Sequence, residues 1–127
     1  MFNGVHHIAI ICSNYAVSKD FYINKLRFTE IREVYREERK SYKLDLALNG
    51  TYMLELFSFP DAPERASYPE AQGLRHIAFT VDNIDRTVEK LYEKGIEAEV
   101  IRIDPITGKR FTFFQDPDQL PIEIYEK

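Results

Sequence analysis

The sequence predicts an α+β fold built from two tandem copies of one strand–helix–three-strand module, βαβββ. Three observations predict it. His7-Ile8-Ala9 recurs as His76-Ile77-Ala78. An Asn follows each His by seven residues, Asn14 and Asn83. An apolar-Glu-apolar-aromatic string closes each copy, Leu54-Glu55-Leu56-Phe57 and Ile122-Glu123-Ile124-Tyr125, so the His-to-Glu spans, 7 to 55 and 76 to 123, are 48 and 47 residues. Repetition at this period marks a duplicated supersecondary unit. The 127 residues fit one domain, with module 1 about 3–59, a linker about 60–73 and module 2 about 74–127.

In the first copy, residues 5–11 are β-branched and apolar and read as a buried strand. Ser13 or Asn14 can cap the following helix by accepting a hydrogen bond from its first turn. Val17 and Phe21, then Tyr22 and Leu26, share its inner face at i, i+4 spacing. Residues 28–36 read as a strand. Residues 44–48 and 51–57 read as two more around Asn49-Gly50, a tight-hairpin signal.

The second copy repeats the plan. Residues 74–81 read as a strand, and Asp82 as the cap of a helix with Ile84, Val88, Leu91 and Tyr92 at helical period. Gly95 suits the left-handed residue that ends it. Residues 97–103 and 110–114 read as strands around a loop with Pro105 and Gly108, and 121–125 as the last, entered through an Asp116-Pro117-Asp118 turn. Between the copies, Pro60, Pro63 and Pro69 resist helix and sheet interiors, so 60–73 reads as an ordered linker.

Composition excludes several classes. With 44% apolar, 30% charged and 13% aromatic residues, the chain can build one core and is not disordered. Lys plus Arg is 17 and Asp plus Glu 21, a net charge of −4, so no broad basic face is available for nucleic acid. The lone Cys12 forms no intrachain disulfide, fits a reducing compartment, and reads as a small buried hydrophobe rather than a catalytic thiol. No stretch approaches the roughly 18 apolar residues of a membrane span, and residues 1–11 lack the basic start of a signal peptide. The expectation is a cytoplasmic protein that binds neither nucleic acid nor membrane.

His7, Glu55, His76 and Glu123 carry the candidate chemistry. All four fall inside predicted strands, and an unpaired buried carboxylate is costly. On the face of Glu55 lie Met53 and Phe57, and on the other Leu54 and Leu56, so neither face is polar. Singly, each His or Glu reads as a hydrogen-bonded or solvated strand residue. As a duplicated set they read as ligands of one divalent cation. His6 points to the opposite strand face and reads as structural. Two imidazoles and two carboxylates, with no thiolate, suit nickel, cobalt or zinc, with manganese or iron(II) also compatible. Strand parity makes Ile11, Met53, Phe57, Phe59, Phe111 and Phe113 candidate pocket lining, or else ordinary core. Arg75, Lys109 and Arg110 are candidate anchors for a substrate carboxylate or phosphate, against the alternative of a solvated hairpin for the latter two.

These residues resemble the vicinal oxygen chelate superfamily, the glyoxalase I, bleomycin-resistance and dioxygenase fold, and within it the small glyoxalase-related proteins of bacteria. The carriers are Val5 to Ile10, Asp20-Phe21-Tyr22 with Leu26 and Phe28, Leu54-Glu55-Leu56, Leu74 to Phe79 with Val81-Asp82, and Asp116-Pro117-Asp118 leading to Ile122-Glu123. The resemblance implies two tandem βαβββ modules forming a curved mixed sheet that cups a metal site, with His7, Glu55, His76 and Glu123 as metal ligands. It implies a homodimer and a small-molecule substrate. It implies a lyase or isomerase that abstracts a proton beside a carbonyl through a metal-bound enediolate, with Glu123 as base and Glu55 as the second candidate.

Extradiol dioxygenases and fosfomycin-resistance enzymes use three protein ligands, and the related epimerase usually has Gln where Glu55 stands. Glutathione-using glyoxalases usually carry Arg four residues after the first His and Asn four after the first Glu; here these are Ile11 and Phe59, so a different thiol adduct or an α-hydroxycarbonyl is implied. The common Gly after Asp-Pro-Asp is Gln119. The alternatives are a non-catalytic binding or sequestering protein, an iron(II) dioxygenase, or an epimerase.

Overall fold

The computed structural model describes residues 1–127. The chain divides into two compact units, Met1–Glu64 and Arg65–Lys127. Each contains one four-stranded mixed sheet and repeats one topology.

In the first unit, β1 (Ile8–Cys12), α1 (Tyr15–Asp20), β2 (Thr29–Arg36), β3 (Ser41–Leu48) and β4 (Thr51–Ser58) follow in order, and the sheet runs β1-β4-β3-β2. A π-helical turn, Phe21–Lys25, continues α1. β1 lies parallel to β4, and β3 antiparallel to both its neighbours. Asn14 caps α1, its side chain accepting from the Val17 N–H at 3.2 Å, which settles the choice between Ser13 and Asn14. The hairpin falls on Asn49-Gly50, both at positive φ, +50° and +81°, as the tight primed turn requires. Ile10, Cys12, Leu44, Leu46, Leu54 and Leu56 are buried with Phe21, Tyr22 and Phe28. Pairing of Ile10 with Leu56 and of Leu44 with Leu56 places the strand members on one sheet face. The other face carries Ala9, Ile11, Asp45, Lys43, Glu55 and Phe57.

The second unit comprises β5 (Ile77–Val81), α2 (Ile84–Glu93), β6 (Arg102–Ile103), β7 (Arg110–Gln115) and β8 (Pro121–Glu126), in the order β5-β8-β7-β6. Its core holds Ile77, Ile84, Leu91, Ile96, Phe114, Leu120, Ile122 and Ile124. Gly95 ends α2's capping turn at φ +79°, its N–H bonding the Tyr92 carbonyl at 2.9 Å. The Asp116 carboxylate accepts from the N–H groups of Asp118 and Leu120 at 2.8 and 2.9 Å, which shapes the turn into β8. Gln119 in that turn stands at φ +65°, a left-handed conformation that costs a non-glycine residue roughly 1–2 kcal/mol.

Four sequence expectations are corrected. β1 and β5 start at Ile8 and Ile77, not at residues 5 and 74, so His7 and His76 precede the strands rather than lie within them. The cap of α2 is Asn83, whose side chain accepts from the Arg86 N–H at 3.0 Å, rather than Asp82. The expected strand over 97–103 is reduced to Arg102–Ile103. There the Thr112 hydroxyl donates to the Glu99 carbonyl at 2.8 Å and the Glu99 N–H to the Phe113 carbonyl at 2.8 Å, so the segment beside β7 is held partly by a side chain instead of a regular ladder. No helix is long and apolar enough to cross a membrane.

Candidate functional site

Each unit brings one histidine and one glutamate together by the same construction. In unit 1, Ala9 of β1 pairs with Glu55 of β4, and His7 stands two residues before Ala9. In unit 2, Ala78 of β5 pairs with Glu123 of β8, and His76 stands two residues before Ala78. The parallel pairing of first and last strand therefore converts a 47- or 48-residue separation into contact. His7 Nε2 lies 3.8 Å from Glu55 Oε1, and His76 Nε2 lies 3.0 Å from Glu123 Oε2. The glutamate side chains are 12% and 14% exposed and the imidazoles 34% and 33%, so the carboxylates are nearly covered while the rings remain reachable. A small Ala stands opposite each Glu.

The donor set fits a divalent metal. Two ligand atoms each about 2.1 Å from one ion and at a right angle lie about 3 Å apart, the spacing of His76 and Glu123. The His7 pair is wider, at 3.8 Å. No group of three or more His, Cys, Asp or Glu side chains is gathered for a metal.

The surroundings of the two glutamates differ. Glu55 Oε2 lies 3.1 Å from the Tyr52 hydroxyl and 3.5 Å from Lys43 Nζ. Both groups also engage Asp45, at 2.7 Å from the hydroxyl and 3.3 Å from Nζ, while Arg32 reaches Asp45 at 3.2 Å. Asp45 is 1% exposed. Burial alone would raise its pKa, but hydrogen bonds from Tyr52, Lys43 and Arg32 outweigh burial and hold it below the usual carboxylate range. Burial first, then hydrogen bonding to the two carboxylates, raises the pKa of the Tyr52 phenol. It stays a neutral donor with one proton for two acceptors.

Within unit 2, Glu123 contacts one polar side chain, His76. Phe113, paired with it across β7 and β8, sets its ring edge-on to the His76 imidazole with centroids 5.1 Å apart. Phe111 stacks on Tyr125 and meets Phe113 edge-on.

His6 corrects the sequence expectation. Because β1 starts only at Ile8, strand alternation does not reach His6, and its Nδ1 lies 2.8 Å from His7 Nδ1. Both rings pack against Tyr52. The contact leaves His7 Nε2 toward Glu55, the arrangement by which outer partners orient a metal-binding imidazole.

The remaining candidates fall in three places. Phe57 and Phe59 stack on each other in unit 1, with centroids 5.5 Å apart, beneath the Arg36 guanidinium. Ile11 pairs with Phe57 and is half exposed, and Met53 is half-buried. In unit 2, Phe111 and Phe113 lie under Arg102.

Arg75 stacks over Tyr68 and approaches Glu70 at 3.9 Å, with its Nη1 buried and unpartnered. Arg110 is already engaged: it donates to Glu126 at 2.8 and 3.0 Å and to Asp85 at 2.9 Å, tying β7 to β8 and to the first turn of α2. Hydrogen bonding to Arg110 lowers the Glu126 pKa. Lys109 is exposed, and its backbone N–H bonds the Thr107 hydroxyl at 3.2 Å.

Sequence reasoning missed Tyr52, Asp45 and Lys43. Counting alternate residues from Glu55 puts Tyr52 on the far face. A β-bulge shifts the register between Leu46 and Ala47, so Ala47 pairs with Tyr52, Met53 is left over, and Tyr52 turns to the Glu55 face. The pairing of Asp45 with Glu55 is invisible until β3 and β4 are in register.

The family model of the Glyoxalase/Bleomycin resistance protein/Dioxygenase superfamily matches residues 4–124. The chain belongs to that superfamily. It is 66% identical over 127 residues to the uncharacterized protein YwkD of Bacillus subtilis (strain 168), covering all of this chain and 99% of that one. It is 63% identical over 123 residues to the uncharacterized protein YaeR of Escherichia coli (strain K12), covering 97% and 95%. Among solved structures, a glyoxalase family protein from Enterococcus faecalis matches with a TM-score of 0.92 and 50% identity, covering 98% of each chain. The two βαβββ modules of the α+β fold read from the sequence are those of this superfamily, which contains many enzymes.

Proposed function

We propose that the protein is a metal-dependent, glyoxalase I-like lyase or isomerase, and that His7, Glu55, His76 and Glu123 together hold one divalent cation, two ligands from each module. The observation that carries this reading is the matched construction of the two pairs: an imidazole before the first strand, a nearly buried glutamate on its parallel partner, and an alanine between them. A bound divalent cation would offset the negative charge that develops on two neighbouring substrate oxygens. The pairs come from one chain or from two chains of a homodimer, and nickel, cobalt and zinc suit the donor set.

The difference between the glutamates supports a division of labour. Tyr52 and Lys43 hold Glu55, so it serves as an anchored ligand. Glu123, with His76 as its one polar neighbour within unit 2, can swing off the imidazole and take a proton from a carbon bearing oxygen. Phe113 and Phe111 border that carboxylate and limit its contact with bulk water, so that protonation at carbon goes through Glu123. After that proton exchanges with solvent on the carboxyl group, Glu123 delivers a proton to the adjacent carbon. A hemithioacetal becomes in this way the thioester of a 2-hydroxy acid, with no atom gained or lost.

Ile11 and Phe59 offer no polar grip for a peptide thiol, which favours an adduct other than that of glutathione. Incubation of nickel-, cobalt- or zinc-loaded protein with methylglyoxal hemithioacetals of several thiols in deuterated water tests the proposal. The expected result is deuterium at the α-carbon and thioester product with at least one metal. Stoichiometric ligand binding without exchange under every metal overturns it in favour of sequestration.

A further inference from the structure

We infer a second binding element in unit 1: an anion subsite formed by Arg36 and Arg39 over the Phe57–Phe59 pair, which takes the carboxylate or phosphate of a small-molecule ligand. Arg36 ends β2 and pairs with Ser41. Its Cζ lies 5.0 Å from the Phe57 ring centroid and 5.7 Å from that of Phe59. Arg39, in the short 3₁₀ turn Glu37–Arg39, places its Cζ 4.9 Å from the Phe59 centroid. Two guanidiniums thus share one aromatic platform.

Neither arginine is ion-paired. Lys19, Arg32 and Lys43 of the same unit find carboxylates, whereas these two guanidiniums share an aromatic platform with no carboxylate on it. Glu37 and Glu38 are their chain neighbours and form no bridge to them. Arg36 Nη2 donates to the Ser41 hydroxyl at 3.1 Å, but its Nε is buried without a partner. An unmet buried donor is unfavourable, and an anion entering at the guanidinium edge, with a shift of the side chains that cover Nε, would meet it. Stacking fixes the plane of a guanidinium while its N–H groups point outward in that plane, the geometry that forks a carboxylate or phosphate.

The subsite lies on the sheet face of Glu55. Phe57 is two residues further along β4, so its Cα is about 7 Å from that of Glu55. A ligand whose reacting end meets His7 and Glu55 would carry its acidic group a few bonds away, over the aromatic pair. That span rests on the metal-site reading; the anion subsite itself does not. The substrate class it selects is an acidic α-oxo or α-hydroxy carbonyl compound or adduct.

Titration calorimetry with phenyl phosphate, with benzyl alcohol as the neutral control, tests the subsite in protein with and without EDTA. We expect saturable, salt-sensitive binding of phenyl phosphate alone. R36Q/R39Q should weaken it at least about tenfold with metal content unchanged. R39Q alone, at an exposed position, should weaken it while leaving the melting temperature in place. H7A should lose metal yet keep phenyl phosphate binding in EDTA, which separates failure of the metal site from failure of the subsite. No saturable binding, equal binding of the neutral control, or unchanged affinity in R39Q and R36Q/R39Q overturns the inference.

Discussion

The two modules repeat one backbone plan and one His–Glu pair, yet the residue facing the glutamate across the next strand differs. Opposite Glu55 stands Asp45; opposite Glu123 stands Phe113. Around Asp45 collect Tyr52, Lys43 and Arg32, and around Phe113 collect Phe111 and Arg102. Duplication supplied the same pair twice, and divergence at the next strand gave one carboxylate tethers and left the other against rings. Under the proposed chemistry one glutamate is built to hold and the other to move.

The widest separation should appear in turnover. Glu123→Gln is expected to lower α-proton exchange per bound metal by roughly 10²–10⁴-fold, whereas Glu55→Gln should act mainly by weakening metal binding. Exchange measured at known metal occupancy decides it, and equal per-metal losses break the comparison.

Metal content should show the next largest effect. His7→Ala and His76→Ala should each deplete bound metal. His6→Ala should weaken binding by about tenfold, the lower end for a residue that orients a ligand. Equal metal content in all three variants would remove the ligand assignment, and no change for His6→Ala would remove its orienting role.

Stability should show the smallest effect. Asp45→Asn leaves Lys43 and Arg32 beside a buried site without their counter-charge. It should cost about 2 kcal/mol in denaturant unfolding, below the value for a fully buried pair because Arg32 is mostly exposed. Phe113→Leu, at the matching position, should cost about 1 kcal/mol. The acid side sharpens the contrast. The folded Asp45 pKa is lowered, so its stabilisation is fully present above its unfolded value of about 3.9 and is lost as pH falls through the folded value. Asp45→Asn should flatten that acid-side loss, and Phe113→Leu should leave its slope unchanged.

Much of this comparison was legible in the chain. Asn49-Gly50 named its own turn, because a primed hairpin demands residues that accept positive φ. The Ile84, Val88, Leu91 period named α2. His7, Glu55, His76 and Glu123 could be picked out as a duplicated set from spacing, since a repeat must place equivalent residues equivalently. Other expectations failed for a definite reason. Alternation counted from Glu55 sent Tyr52 to the wrong face because the bulge at Leu46/Ala47 depends on how β3 meets β4. Extending β1 to residue 5 turned His6 away from the site because a strand's start depends on its partner, and β4 offers pairing only from Ile8 onward. Arg110 looked like a free anchor until Asp85 and Glu126, distant in sequence, were seen to claim it.

The sequence by itself therefore determined the duplicated module, its turns and the four residues at the centre of the proposed chemistry, because these follow from periodicity and local conformational preference. Only the tertiary structure decided what each glutamate faces, which cations stay unpaired over Phe57 and Phe59, and where Tyr52 points. Those depend on cross-strand register, and a shift of one residue reverses the face of every side chain beyond it.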